Sequence, residues 1–182
     1  MIYDGLLKQF CSWPVLFDSF GHPRFVYWGY HMRPTLRNWR PHEIVVHYSG
    51  GAQDITFDRT VWYLTKPNSA KVSAHFVIGK AGEVVMICPL DHVAWHAGKW
   101  PRNLDSFGIE VVHAGKINSR SIPEPYPQVQ LDALITLCVQ LCVLFRIPPI
   151  RIIGHRDIIT TVCPWGLDVD MVKARVSDRI SQ

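Results

Sequence analysis

Between residues 129 and 145 apolar side chains recur at positions 131, 134, 135, 138, 141, 142 and 145, among others, the spacing of a helix with one broad buried face. A face that wide has to be covered, and short β-rich runs elsewhere in the chain can cover it. They lie at 43–48 (EIVVHY), 72–78, 84–88, 107–113 (FGIEVVH) and 150–153. Turn residues punctuate them: Ser49-Gly50-Gly51 after the first run, and Lys80-Ala81-Gly82-Glu83 as a hairpin between the second and third. A helix starting at an Asp58 cap runs to residue 66, where Pro67-Asn68 stops it, and Pro148-Pro149 ends the long helix. Asp168 or Asp170 caps a last helix with Val172, Val176 and Ile180 along one side. Strands and helices interleaved in this way predict a single α/β domain with a central mixed sheet flanked by helices.

The remaining composition narrows the class. The 182 residues fit one domain, and 48% hydrophobic against 19% charged residues excludes a disordered chain. A net charge of +4 is too small an excess to point to nucleic acid. Cysteines at 10, 88, 138, 142 and 163 are odd in number and form no C-x-x-C pair, which argues against a disulfide scaffold. The first twenty residues lack a basic stretch followed by a clean apolar one, so no signal peptide is expected. The apolar stretch 131–145 is short for a membrane span and contains Asp132 and Gln140, so no membrane insertion is expected either. Residues 1–40 differ from the rest: their aromatics and prolines follow no period, and five basic residues (Lys8, Arg24, Arg33, Arg37, Arg40) face two acidic ones (Asp4, Asp18). They read as an arm packed on a domain formed by 41–182. Seven Trp and six Tyr exceed the needs of a core and suit a groove that holds carbohydrate or peptide.

Chemistry gathers where strands give way to loops. His47 ends the first run, His155 follows the run 150–153, and Cys163 lies in the loop after it. Two imidazoles and a thiolate meet the needs of a zinc ion that keeps one position open for water. Two satisfied histidines and a buried thiol are the plainer alternative, and a Cys163 nucleophile paired with His155 is a third. Pro164 argues against a thiolate held at a helix start. Glu110 stands in an apolar strand, where a carboxylate is costly to bury unless it is used, for example as a general base. Trp95-His96 between small residues suggests a contact close to substrate, with structural packing the alternative, and His75, within a predicted strand, reads as a core or supporting residue before a ligand. Arg156-Asp157 would brace the loop by an ion pair. The chain has no glycine-rich nucleotide motif, no G-x-S-x-G elbow, and none of the kinase motifs that would accompany His-Arg-Asp.

Five segments in order, HYSG at 47–50, VSAHFVIGKAGEVV at 72–85, AWHAG at 94–98, FGIEVV at 107–112 and GHRDI at 154–158, resemble the zinc-dependent N-acetylmuramoyl-L-alanine amidases of the type 2 family. That family takes in T7 lysozyme-like amidases, AmpD-like recycling amidases and peptidoglycan recognition proteins. The resemblance covers roughly residues 40 to 177 and implies one zinc held by His47, His155 and Cys163. Asp168 lies too far along to replace Cys163. It implies Glu110 as acid/base, Thr161 as an aid to the oxyanion where T7-like enzymes carry lysine, and Trp95, His96 and His75 as substrate contacts. The implied partner is peptidoglycan or a muropeptide, met by a monomer that stays cytoplasmic until phage lysis or throughout recycling. An endolysin is the favoured setting. A recycling amidase and a non-catalytic peptidoglycan-binding relative are the alternatives.

Overall fold

The computed structural model describes residues 40–51, 55–66, 72–115 and 125–182, so the arm expected at 1–40 lies, but for Arg40, outside the described residues. Five strands form one sheet: β1 (Glu43–Tyr48), β2 (Phe76–Ile78), β3 (Val84–Met86), β4 (Ser106–Val111) and β5 (Ile152–Gly154), in the order β3-β2-β4-β1-β5. The pairs β2–β4, β4–β1 and β1–β5 are parallel, and only the β2–β3 hairpin is antiparallel. The sheet is therefore mixed, as expected. Its hairpin closes through Gly79 N donating to the Glu83 carbonyl (2.8 Å), with Gly82 at φ +84°, a left-handed conformation that favours glycine.

Helices α1 (Phe57–Thr65), α2 (Trp100–Asp105), α3 (Gln128–Phe145) and α4 (Val169–Ser181) complete the described part. Successive residues of a strand face opposite sides. Ile44 and Val46 of β1, with Ile109 and Val111 of β4, join one core with Leu134, Leu137 and Leu141 of α3 and Val172 and Val176 of α4. At 18 residues α3 reaches the lower range of a membrane span, and its packing in this core accounts for its apolar face. Val45 faces the other way, against Ala97 and Ile158. His47 follows by the same alternation, and Glu110 is its register partner on β4.

Several expected bounds shift. The second strand is only Phe76–Ile78, because Ser73 N leaves the ladder for the Trp95 carbonyl (2.8 Å). The third ends at Met86 and the fourth at Val111, where His113 N turns to the Ser49 hydroxyl (2.9 Å). A 3-10 turn, Pro149–Arg151, replaces the start of the fifth. Thr56 rather than Asp58 caps α1, accepting from Arg59 N, while Asp58 sits in the first turn. Helix α2 is not among the expected elements; its Pro101 stands in the first turn, where proline has no hydrogen bond to lose. Its Arg102 joins Arg151 on the buried Glu43 carboxylate (2.5 and 3.2 Å), which ties down the end of β1 remote from His47.

At the head of α4 the Asp168 carboxylate accepts from Met171 N (2.9 Å). Asp168→Ala is expected to cost about 1 kcal/mol, the usual worth of such a cap. Urea denaturation checks this, and an unchanged midpoint would show that the packing of α4 alone sets its stability.

Candidate metal centre

The C-terminal ends of the parallel strands deliver the donors. His47 leaves β1 buried, and His155 follows β5 in a 3-10 turn, His155–Asp157. That turn is fixed by Gly154 N donating to Asp157 Oδ2 (2.8 Å) and by Arg156 Nη2 donating to the Leu167 carbonyl (2.6 Å). Arg156 and Asp157 thus each brace the loop through a backbone contact instead of the ion pair expected between them. Arg156 N also donates to the Cys163 carbonyl (2.7 Å), drawing the cysteine back over the sheet. Gly154 permits this approach, because a Cβ there would lie 2.9 Å from Pro164 Cδ. The result is a cluster of His47, His155 and Cys163 whose donor atoms all lie within 4.8 Å of one another, with Cys163 Sγ 3.8 Å from His47 Nδ1.

The electrostatics favour a cation. Burial pushes His47 well below the usual histidine range, and the neighbouring His96 and His155 push it further. Burial also lowers His155, so both rings are neutral and offer lone pairs. The Cys163 thiol is pushed up to about 12, chiefly by burial, against the pull of the Tyr48 amide. It therefore holds its proton until a metal displaces it. Two neutral imidazoles and a sulfur are a borderline-soft donor set that fits a divalent transition metal. Glu110 borders the same cleft, and burial pushes its carboxyl up to about 8.

The cleft has a volume of about 650 Å³ and is bordered by all three donors, Glu110, Trp95 and His96. Trp95 is exposed there and packs against Trp100 at 5.0 Å between ring centroids. Two expected site residues lie elsewhere. His75 is fully buried and off the cleft wall: its Nδ1 accepts from Gly108 N (2.9 Å) and its Nε2 meets the His92 carbonyl (3.2 Å). It braces β4 and has no surface with which to touch substrate. Thr161 is not on the cleft wall either, and its hydroxyl accepts from Cys163 N (3.3 Å). Sequence reasoning missed the far wall, which α1 supplies. Trp62 and Tyr63 are 59% and 44% exposed and border the cleft beside Arg59, with the buried Thr60 and Leu64 of the same helix at its base. Two adjacent aromatics on the outer face of a predicted helix were the available signal.

Fold and cluster together define an α/β protein with a candidate single-metal centre at the C-terminal edge of its sheet. The chain belongs to the Amidase_2 family, described as N-acetylmuramoyl-L-alanine amidase, whose model matches residues 37–166. It is 30% identical over 131 residues to the N-acetylmuramoyl-L-alanine amidase AmiD of Escherichia coli K12, an alignment covering 63% of this chain and 45% of that one. The match thus spans less than half the length of that relative. Among solved structures, it resembles the endolysin amidase LysCS from Clostridium intestinale URNW with a TM-score of 0.62 and 24% identity, over 85% of this chain and 96% of that chain. This second likeness is one of fold. Escherichia coli AmiD, solved in complex with the substrate anhydro-N-acetylmuramic acid-L-Ala-D-gamma-Glu-L-Lys, superposes with a TM-score of 0.56 and 26% identity, over 71% of this chain and 55% of that chain.

Proposed function

We propose that this chain is a zinc hydrolase that cuts the amide between N-acetylmuramic acid and the L-alanine of the peptidoglycan stem. The observation that carries the reading is the His47, His155 and Cys163 cluster beside Glu110 on one sheet face, opening on a cleft walled by aromatic side chains. Family membership supplies the bond to be cut, and the AmiD complex supports a muropeptide as substrate class. One zinc per chain would be held by the two imidazoles and the thiolate. When bound, it supplies Lewis-acid chemistry, acidifying a water and polarising the scissile carbonyl.

The residues do the rest. Glu110, next to His47 across the strand pair, takes the proton of the attacking water and returns it to the departing alanine nitrogen. In the metal-free chain burial pushes that carboxyl up to about 8, and a bound cation would draw it back toward the ionised form that accepts the first proton. Trp95, Trp62 and Tyr63 offer flat faces to sugar or peptide, and Arg59 offers a cation to a stem carboxylate. A nucleophilic Cys163 is a poorer reading, since activation lowers a thiol pKa and this one is raised. The setting we favour is lytic, as a monomeric endolysin, with muropeptide recycling as the alternative.

Thr161 acts through the loop that carries Cys163. Thr161→Val is expected to lower kcat by less than the loss of Glu110 does and to leave the metal content unchanged. Complete inactivation with metal retained would make its hydroxyl essential to the oxyanion. The function itself is tested by combining metal analysis of the purified protein with mass spectrometry of its products on intact peptidoglycan. One zinc per chain and new L-alanine amino termini are expected. Active protein without metal, or products cut elsewhere in the stem, would overturn the proposal.

A further inference from the structure

A histidine that offers one ring nitrogen to a metal must carry its proton on the other. His47 turns Nδ1 toward Cys163 Sγ, which leaves Nε2 to be satisfied in the interior. It lies 3.0 Å from Nδ1 of His96. Only one proton fits between two nitrogens at that distance, so one ring donates and the other accepts. His96 Nε2 in turn lies 3.3 Å from Ser106 Oγ, and the Ser106 hydroxyl donates to the Arg102 carbonyl of α2. A carbonyl only accepts, and this fixes the direction of the whole row from its far end. Ser106 gives its proton to Arg102 and accepts from His96 Nε2–H. His96 Nδ1 is then a lone pair, and His47 Nε2–H donates to it.

The row is built into the fold. The Asn103 side chain accepts from the backbone N–H groups of His96 (3.0 Å) and Ala97 (2.8 Å), which fixes the segment carrying the ring. Gly108 of β4 leaves space for that ring, since a Cβ there would lie 2.5 Å from His96 Cγ. Ser106 is fully buried and His96 nearly so.

We infer that His96 and Ser106 are positioning residues, whose hydrogen-bonded row from the Arg102 carbonyl holds His47 in the tautomer that leaves Nδ1 open to a metal. The inference rests on reading His47 as a metal ligand. It gives His96 a role other than the substrate contact expected from sequence, because both its ring nitrogens are engaged in the row. Outer partners of this kind are typically worth about 10- to 100-fold in metal affinity.

The test uses the whole protein and reads zinc affinity by chelator competition, with nitrogen-15 NMR of the imidazoles in the metal-free state. His47 is expected to carry its proton on Nε2. His96→Leu should weaken zinc binding by about 10- to 100-fold. His96→Gln, whose amide oxygen can still accept from His47, should recover most of that loss. Ser106→Ala should show a mixture of His47 tautomers and a smaller loss of affinity. Parent protein with the His47 proton on Nδ1 overturns the inference without any variant, which covers the case of a His96→Leu protein that does not fold. Equal zinc affinity in parent and His96→Leu also overturns it. His47→Ala separates the two levels. If it loses zinc while His96→Leu does not, only the positioning role fails; if it binds as the parent does, the metal reading fails and this inference with it.

Discussion

Glu110→Gln is expected to lower kcat by about 10²- to 10⁴-fold, the usual worth of a positioned acid/base group, while zinc content stays at the parent level. Glutamine keeps the size of the side chain and its ability to hydrogen-bond. It cannot take a proton from water or give one to the leaving nitrogen. The same substitution has a signature in stability that does not depend on catalysis. Burial raises the folded carboxyl from about 4.5 to about 8. Across that window the folded chain binds more protons at this position than the unfolded chain. Metal-free parent protein should therefore lose stability as pH rises from about 4.5 to about 8, and Glu110→Gln should remove that part of the decline. Chemical denaturation at several pH values measures it. If kcat falls less than about tenfold with the metal site intact, Glu110 is structural, and identical pH profiles would mean its carboxyl is not desolvated as the fold implies.

Helical spacing and β-rich composition made the core legible. The 3.6-residue spacing of 129–145 places α3, and the β-rich run EIVVHY places β1, before any coordinate is known. Which face His47 takes comes from the pleat of the folded strand, opposite Ile44 and Val46. His47, His155 and Cys163 were legible as donors because strand ends and family motifs mark them, and the structure gathers them into one cluster. Less local features were not. Nothing in the sequence says that Arg156 N reaches back to the Cys163 carbonyl, and that bond helps close the loop over the sheet. Nor does it say which histidines interact. His75 and His96 both stood among the expected substrate contacts, but one ring is sealed behind β4 and the other stands against His47. That difference depends on Gly108, whose missing Cβ leaves room for His96 and whose N–H engages His75. The wall formed by α1 escaped notice for a related reason. Trp62 and Tyr63 become a cleft wall only once the helix is laid across the cleft from the ends of β1 and β4.

Cys163→Ser should remove the metal and the activity together. Once a metal has displaced its proton, the sulfur would be the single anionic donor of the cluster, whereas a serine hydroxyl is neutral, harder and shorter in reach. Its loss should cost zinc affinity more than the loss of an outer-shell partner does, at least about 10²-fold on the scale set by such partners. Dialysis against a chelator that leaves the parent loaded should therefore strip the variant. The fold is expected to survive, because the backbone of residue 163 is held without the thiol, its carbonyl by Arg156 N and its amide by the Thr161 hydroxyl. Added zinc at high concentration should restore part of the activity if the two histidines still bind. That outcome distinguishes a weakened metal site from a lost nucleophile, since no amount of zinc would return a covalent mechanism once the sulfur is gone. If the variant holds zinc as tightly as the parent, the third ligand lies elsewhere, and the proposed chemistry at the ends of β1 and β5 has to be drawn around a different donor.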